Sequence, residues 1–221
     1  MKTAIVCLAV SLLLSLNACK RGHDRIGDAP RTESASFAAG WKEISTSGIA
    51  LQFPSDWKMI DLATENIEQG IDKAFGNDPK FASVRGQVSA AAKQGMIKLL
   101  AFETSTIGSG FGTNCNVILQ DTPGQLTVEQ AANATVQQLA PMVAAGTQPK
   151  LEYISLNSGK VAVVRSEIKP PNPSVPTLVS LAYLALKGTK LAIVTFTAPV
   201  TDETHIRAIA DKSMSAFRFT N

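Results

Sequence analysis

The chain has 221 residues, 45% of them hydrophobic and 18% charged, a globular balance far from that of disordered sequences. That length suits one domain of ordinary size. A net charge of +3, from 21 basic and 18 acidic side chains with no basic run, gives a nucleic-acid partner no electrostatic footing. Two His and three Cys exclude a disulfide framework and leave little for a structural metal site.

Residues 1–18 open with Lys2, continue as an apolar run from Ala4 to Leu16, and close on Asn17-Ala18 before Cys19. One cation, a short apolar stretch and a small residue at the break predict a secretory signal peptide. A permanent membrane span needs about 20 apolar residues, more than this run supplies. The ending Leu16-Asn17-Ala18-Cys19 resembles the bacterial lipobox. That resemblance implies a diacylglycerol on the Cys19 thiol, palmitate among its acyl chains, and cleavage in front of it. Cys7 leaves with the signal, so Cys115 is the sole thiol expected in the mature domain.

Residues 19–39 are polar, mixed in charge and without hydrophobic period, which predicts a flexible tether behind the lipidated cysteine. Lys20 follows Cys19 where an aspartate is associated with inner-membrane retention in enteric bacteria. The expected place is therefore the cell envelope, extracytoplasmic, on the periplasmic face of the outer membrane if the host is Gram-negative.

A single globular domain is predicted over 40–221. WKEIST and GIALQF are two strands around a Ser47-Gly48 turn, ended by Pro54 and turned by Ser55-Asp56-Trp57. Ile60, Ile67, Ile71 and Phe75 then fall at helical spacing, which predicts a helix from Asp61 to a stop at Gly76. Asp78-Pro79 opens a second helix that ends at Gly95. Strands follow at Met96–Glu103 and Cys115–Gln120, on either side of a glycine-rich tip, Gly108–Thr113.

Thr127 and Gln130 form a T-x-x-Q capping box for the next helix, with Val128, Ala132, Val136, Leu139 and Val143 inward and Pro141 kinking its end. Four strands come next: LEYISL, KVAVVRSEI, TLVSLAYLAL and KLAIVTFTA. A proline-rich loop, Lys169–Pro176, separates the middle pair. Thr201-Asp202 caps a closing helix with Ile206, Ile209, Ala210, Ser213 and Phe217 inward. The predicted class is α+β, an antiparallel sheet of six to eight strands flanked by helices.

The order of elements, the F-P-x-x-W run at Phe53–Trp57 and the S-x-F close at Ser215–Phe217 resemble the PsbP/DcrB-like fold group. The group includes a photosystem extrinsic subunit, a Ran-binding nuclear import factor and many bacterial lipoproteins. The resemblance implies a PsbP-like layered α/β/α sandwich that binds or scaffolds, and it carries over no catalytic residue, cofactor or metal. The helical stretch between Trp57 and Met96 exceeds what the compact members carry there.

Cys115 and His205 form the one conceivable thiol–imidazole pair, yet Cys115 alternates with Val117 and Leu119 and is expected in the core. Gly108-Ser109-Gly110-Phe111-Gly112 precedes a strand rather than a helix, so it predicts a hairpin tip and no phosphate loop. Trp41 and Trp57 read as core, with a surface aromatic anchor as the alternative. The expected function is a lipid-anchored envelope protein that binds or scaffolds without catalysis and takes an envelope protein as partner. The alternatives are a carrier of a small apolar ligand held between the sheet and the helices of 61–95, and a Cys115-dependent enzyme. The expected binding surface joins the glycine tip to the proline loop through Gly110, Phe111, Pro171 and Pro173, with Phe111 either exposed as its apolar contact or tucked into the core.

Overall fold

A computed structural model describes residues 39–63, 67–76, 96–107, 111–122 and 124–220. The predicted signal peptide, Cys19, the predicted tether up to residue 38, the predicted helix Asp78–Gly95 and Gly108–Gly110 lie outside the described residues.

Strands β1 (Trp41–Thr46) and β2 (Ile49–Pro54) pair antiparallel around a two-residue turn. Both turn residues take positive φ, 50° at Ser47 and 87° at Gly48, the backbone twist that a tight hairpin requires. β3 (Lys58–Asp61) follows, where a helical start is predicted from the spacing of Ile60. Ile60 belongs to this strand, paired with Leu100, and the helix α1 (Ile67–Phe75) begins later. Four residues of K-M-I-D are too short for strand alternation to outweigh the helical spacing downstream.

β4 (Ile97–Phe102) and β5 (Asn114–Asp121) match the sequence expectation. The capping box of α2 (Val128–Leu139) is formed: Gln130 N–H donates to Thr127 Oγ1 at 3.2 Å, and Thr127 N–H donates to Gln130 Oε1 at 2.9 Å. α2 ends at Leu139, before Pro141. Val143 is therefore not on the helix but bridges Ile168, a correction to its predicted inward helical place. β6 (Lys150–Leu156), β7 (Gly159–Ile168), β8 (Leu178–Lys187) and β9 (Lys190–Pro199) run as successive antiparallel neighbours. α3 (Glu203–Ser215) and the two-residue β10 (Arg218–Phe219) close the chain.

Seven strands form one sheet in the order β3-β4-β5-β9-β8-β7-β6, and β1-β2-β10 form a second, smaller one. Both are antiparallel throughout. The large sheet is covered on both faces, which is why β8 and β9 read as nearly unbroken apolar runs. On one face α1 and α2 bury Ile71, Phe75, Ala132 and Leu139 against Leu100, Ile118, Val164 and Ile193. On the other, the small sheet and α3 bury Leu51, Phe53, Ile206 and Met214 against Val117, Leu181, Tyr183 and Phe196. The result is a three-layer α+β domain whose two cores share the central sheet.

α3 is also held by a polar stripe at four-residue spacing. Arg165 on β7 donates from Nε to Glu203 Oε1 at 2.6 Å and from Nη2 to Glu167 at 2.8 Å. One turn on, Arg207 reaches Glu152 on β6 at 2.9 Å, and a turn beyond that Asp211 accepts from the buried Tyr183 hydroxyl at 2.7 Å. The guanidinium of Arg165 holds the Glu203 carboxyl below the usual carboxylate range. Burial, reinforced by Asp211, pushes the Tyr183 hydroxyl far up.

Candidate functional site

The glycine tip and the proline loop do meet, but not as an exposed apolar patch. Phe111 is only 5% exposed and packs with Val175 and Leu178 in a small core of its own. Of the two places considered for its ring, the interior one is realised, and the expectation of Phe111 as an exposed contact is corrected. Val175 supplies the reason, because Asn172 folds the loop back: Ser174 N–H donates to Asn172 Oδ1 at 3.0 Å and Val175 N–H to Asn172 O at 3.1 Å. That turn aims Val175 inward and leaves Pro171 and Pro173 exposed. Gly110 lies outside the described residues.

At the same end of the sheet sits a pair that the sequence does not announce. His205 Nε2, in the first turn of α3, lies 3.0 Å from Glu103 Oε1 just past β4. Glu103 is buried and its Oε2 has no partner, while the neighbouring Thr113 Oγ1 is buried without one too. Ser105 Oγ donates to the same Glu103 Oε1 at 3.3 Å. The carboxylate therefore stands between the hydroxyl and the imidazole. An activated serine needs the base against its own hydroxyl and the carboxylate behind the base, so this order does not make Ser105 a nucleophile.

Cys115 is fully buried, as its alternation predicts, and burial pushes its thiol well above the ordinary range. Its Sγ points to the Asn116 carbonyl at 3.8 Å, and His205 turns to Glu103 instead. Trp57 is core as well, 1% exposed and stacked on Phe53 with ring centroids 5.8 Å apart. Trp41 is half-buried, and the Lys212 ammonium sits 4.3 Å over its ring.

The roomier feature is a cleft of about 400 Å³ between β1, β3 and the last turns of α1. Lys42, Glu43, Ile44 and Ser45 line it, four consecutive residues of one strand. Successive side chains of a strand point to opposite faces, so such a run meets a cavity only along the strand's open edge. Lys58, Met59 and Asp61 bring the edge of β3 to the opposite wall, and Lys73 and Ala74 come from α1. Trp57 and Leu99 form the apolar floor.

Two side chains span this cleft. Lys42 Nζ donates to the Trp57 carbonyl at 2.7 Å and to the Ser55 carbonyl at 3.0 Å. Near the other end of β1, Thr46 Oγ1 donates to Asp61 Oδ1 at 2.8 Å, and Ala63 N–H donates to the same oxygen at 3.0 Å. Of the acids along the walls, Glu43 receives both Nη1 and Nη2 of Arg218 at 2.7 Å, which holds its carboxyl below the usual range. Burial lowers the Lys42 ammonium, and repulsion from Lys58 lowers it further. The lysines lie at positions 42, 58 and 73, on three different elements, and only the tertiary fold brings them to one cleft.

A second cavity, under α2 between Thr135, Ser180 and Thr195, measures only about 10 Å³. That is about the size of a single water in a polar setting, and too small for an apolar ligand.

No family model and no curated protein matches the chain. Solved structures do. The chain is similar to the solution structure of cyanobacterial PsbP (CyanoP) from Synechocystis sp. PCC 6803, with a TM-score of 0.50 and 13% identity over 85% of this chain and 97% of that one. LpqN of Mycobacterium tuberculosis, involved in cell envelope biogenesis, aligns at TM-score 0.49 and 10% identity over 82% of this chain and 91% of its own. A protein of Bacteroides thetaiotaomicron VPI-5482 aligns at TM-score 0.42 and 9% identity over 79% of this chain and 46% of its own. The likeness to CyanoP shows the fold alone: an antiparallel α+β domain of the PsbP-like kind, as the order of elements predicts.

Proposed function

We propose that this chain is a lipid-anchored, extracytoplasmic envelope protein that holds a protein partner in the cleft between β1 and β3 and performs no catalysis. The cleft carries the reading: it offers two strand edges, an apolar floor and a cationic rim in one place. The anchor rests on the lipobox at Leu16–Cys19 and the polar tether behind it. The absence of catalysis is supported by the order Ser105–Glu103–His205 and by a thiol at Cys115 that burial keeps protonated.

Two experiments test it. Metabolic labelling with palmitate marks the wild-type chain, and Cys19→Ser abolishes the label; a labelled Cys19→Ser chain refutes the anchor. A photo-crosslinking side chain at position 59 in intact envelopes captures a defined protein that the same group at position 160, outside the cleft, does not. Equal capture at both positions refutes the cleft as the binding site.

A further inference from the structure

The cavity under α2 is small, but its lining is unlike the core around it. Ile118, Leu139, Ala182 and Ile193 give it apolar sides, while Thr135, Ser180 and Thr195 bring three hydroxyls to it. All three residues are more than nine-tenths buried, at 1%, 2% and 7% exposure. Thr135 Oγ1 donates to the Ala131 carbonyl one turn back, at 2.9 Å. Among the described residues, the Ser180 and Thr195 hydroxyls have no protein partner.

The sheet explains why these groups meet. Residues two apart on a strand share a face, so Ser180 lies with Ala182 and Thr195 with Ile193, under α2. On the same face Thr197 and Ser166 stand directly opposite Ser180, and Asn116 stands opposite Thr195. A polar row therefore crosses the middle of an otherwise apolar face, and the Ser166 hydroxyl in it is buried without a partner. A buried hydroxyl that bonds to nothing is among the costlier features a core can carry. Between these groups lies a space of about 10 Å³, the size of one water, and a buried water takes two to four polar partners. No charged side chain lines the space, so an ion finds no counter-charge there. The hydroxyls also divide the roles: Thr135 has committed its proton to Ala131 and can only accept, whereas Ser180 and Thr195 are free to donate. We propose that this cavity is a binding site for one internal water, which accepts from Ser180 Oγ and Thr195 Oγ1 and donates to Thr135 Oγ1, tying α2 to β8 and β9.

The test uses two near-isosteric substitutions, Ser180→Ala and Thr195→Val, made singly and together in the full chain in detergent. Magnetic relaxation dispersion of the water oxygen counts long-lived internal waters, and urea unfolding reads stability. Each single variant leaves the other hydroxyl or the water short of a partner, and the folded-to-unfolded ratio falls about tenfold. The double variant removes both donors together and is no less stable than either single one. Its dispersion amplitude drops by one long-lived water, while Thr195→Ser, which keeps the hydroxyl, retains the wild-type amplitude. A dry cavity gives the reverse sign. Both hydroxyls are then already without partners, so each substitution raises stability, the two gains add, and the dispersion does not change. Raised stability in the single variants, or an unchanged amplitude in the variants that lack a hydroxyl, overturns the proposal. Losses that simply add put the two hydroxyls on separate partners and overturn it as well.

Discussion

Replacing Phe111 by alanine tests whether the meeting of the two loops is structural or recognitive. The ring is 5% exposed and, among the described residues, shares its core with Val175 and Leu178. Phe→Ala in a core costs about 3–5 kcal/mol, and the low end applies here because the wall is small and able to collapse. In a domain of this size about 3 kcal/mol lowers the melting temperature by roughly 6–12 °C, at ~2–4 °C per kcal/mol. The loss also unties the proline loop, so proteolysis between Lys169 and Pro176 accelerates in step. Thermal melting by circular dichroism and limited proteolysis read the two effects. An F111A chain that melts within 2 °C of wild type and resists protease equally would show that the ring is not part of the fold's support.

Four further outcomes follow from the same reasoning. Tyr183→Phe deletes a buried hydroxyl that donates to Asp211 at 2.7 Å, and urea unfolding should show a loss of about 1.5–3 kcal/mol, the range for a hydrogen bond to a charged group. Thr127→Ala removes the cap of α2 and should cost about 1 kcal/mol, with Thr127→Ser nearly neutral in the same measurement. The Glu43 and Glu203 carboxyls lie below their ordinary value of 4.5 in the folded state, so their contribution is complete above pH 4.5 and disappears as pH falls through the lower folded values. The urea midpoint should therefore stay level from pH 8 to 5 and drop below, and Glu203→Gln should be less stable at pH 7 but converge on wild type in acid, as the wild-type carboxylate is protonated. Cys115 should resist iodoacetamide at pH 8 in the folded chain and react once urea unfolds it, because burial holds the thiol protonated.

Local signals were legible where the chemistry is local. The T-x-x-Q box, the turn at Ser47-Gly48 and the apolar runs of β8 and β9 are written within a few residues of where they act. β3 was hidden because four residues before a helix carry too little period, and β10 because two residues carry none. The division into two sheets was equally silent, since β1 and β2 have the same alternation whether they join the large sheet or stack on it. Val143 misled because it keeps helical spacing past Pro141, where the chain has already left α2 to bridge Ile168. Glu103 and His205 are 102 positions apart, and the three lysines of the cleft lie on three elements, so both groupings are products of topology. Loops were the reasonable place to look for recognition, and there a hydrophobic residue in a glycine-rich tip reads the same whether a partner or Val175 covers it.

Lysines along an open strand edge have a modest role that any sheet protein needs: they discourage pairing with stray strands. That role and a specific one are the same electrostatics seen from different partners. An ammonium row repels or strands the charge of a basic segment, gains little from a neutral one, and favours an acidic one, so a guard against most strands is a filter for one kind. The difference lies in what surrounds the edge. A purely protective edge needs no cavity, whereas here two facing edges flank an apolar floor and are tied to each other across it by bonds from Lys42 and Thr46 that the protein makes with itself. Those bonds fix the spacing of the two walls within the chain itself, so the cleft is preformed rather than shaped on binding, and pre-organisation of that kind lowers the ordering cost of any contact made there.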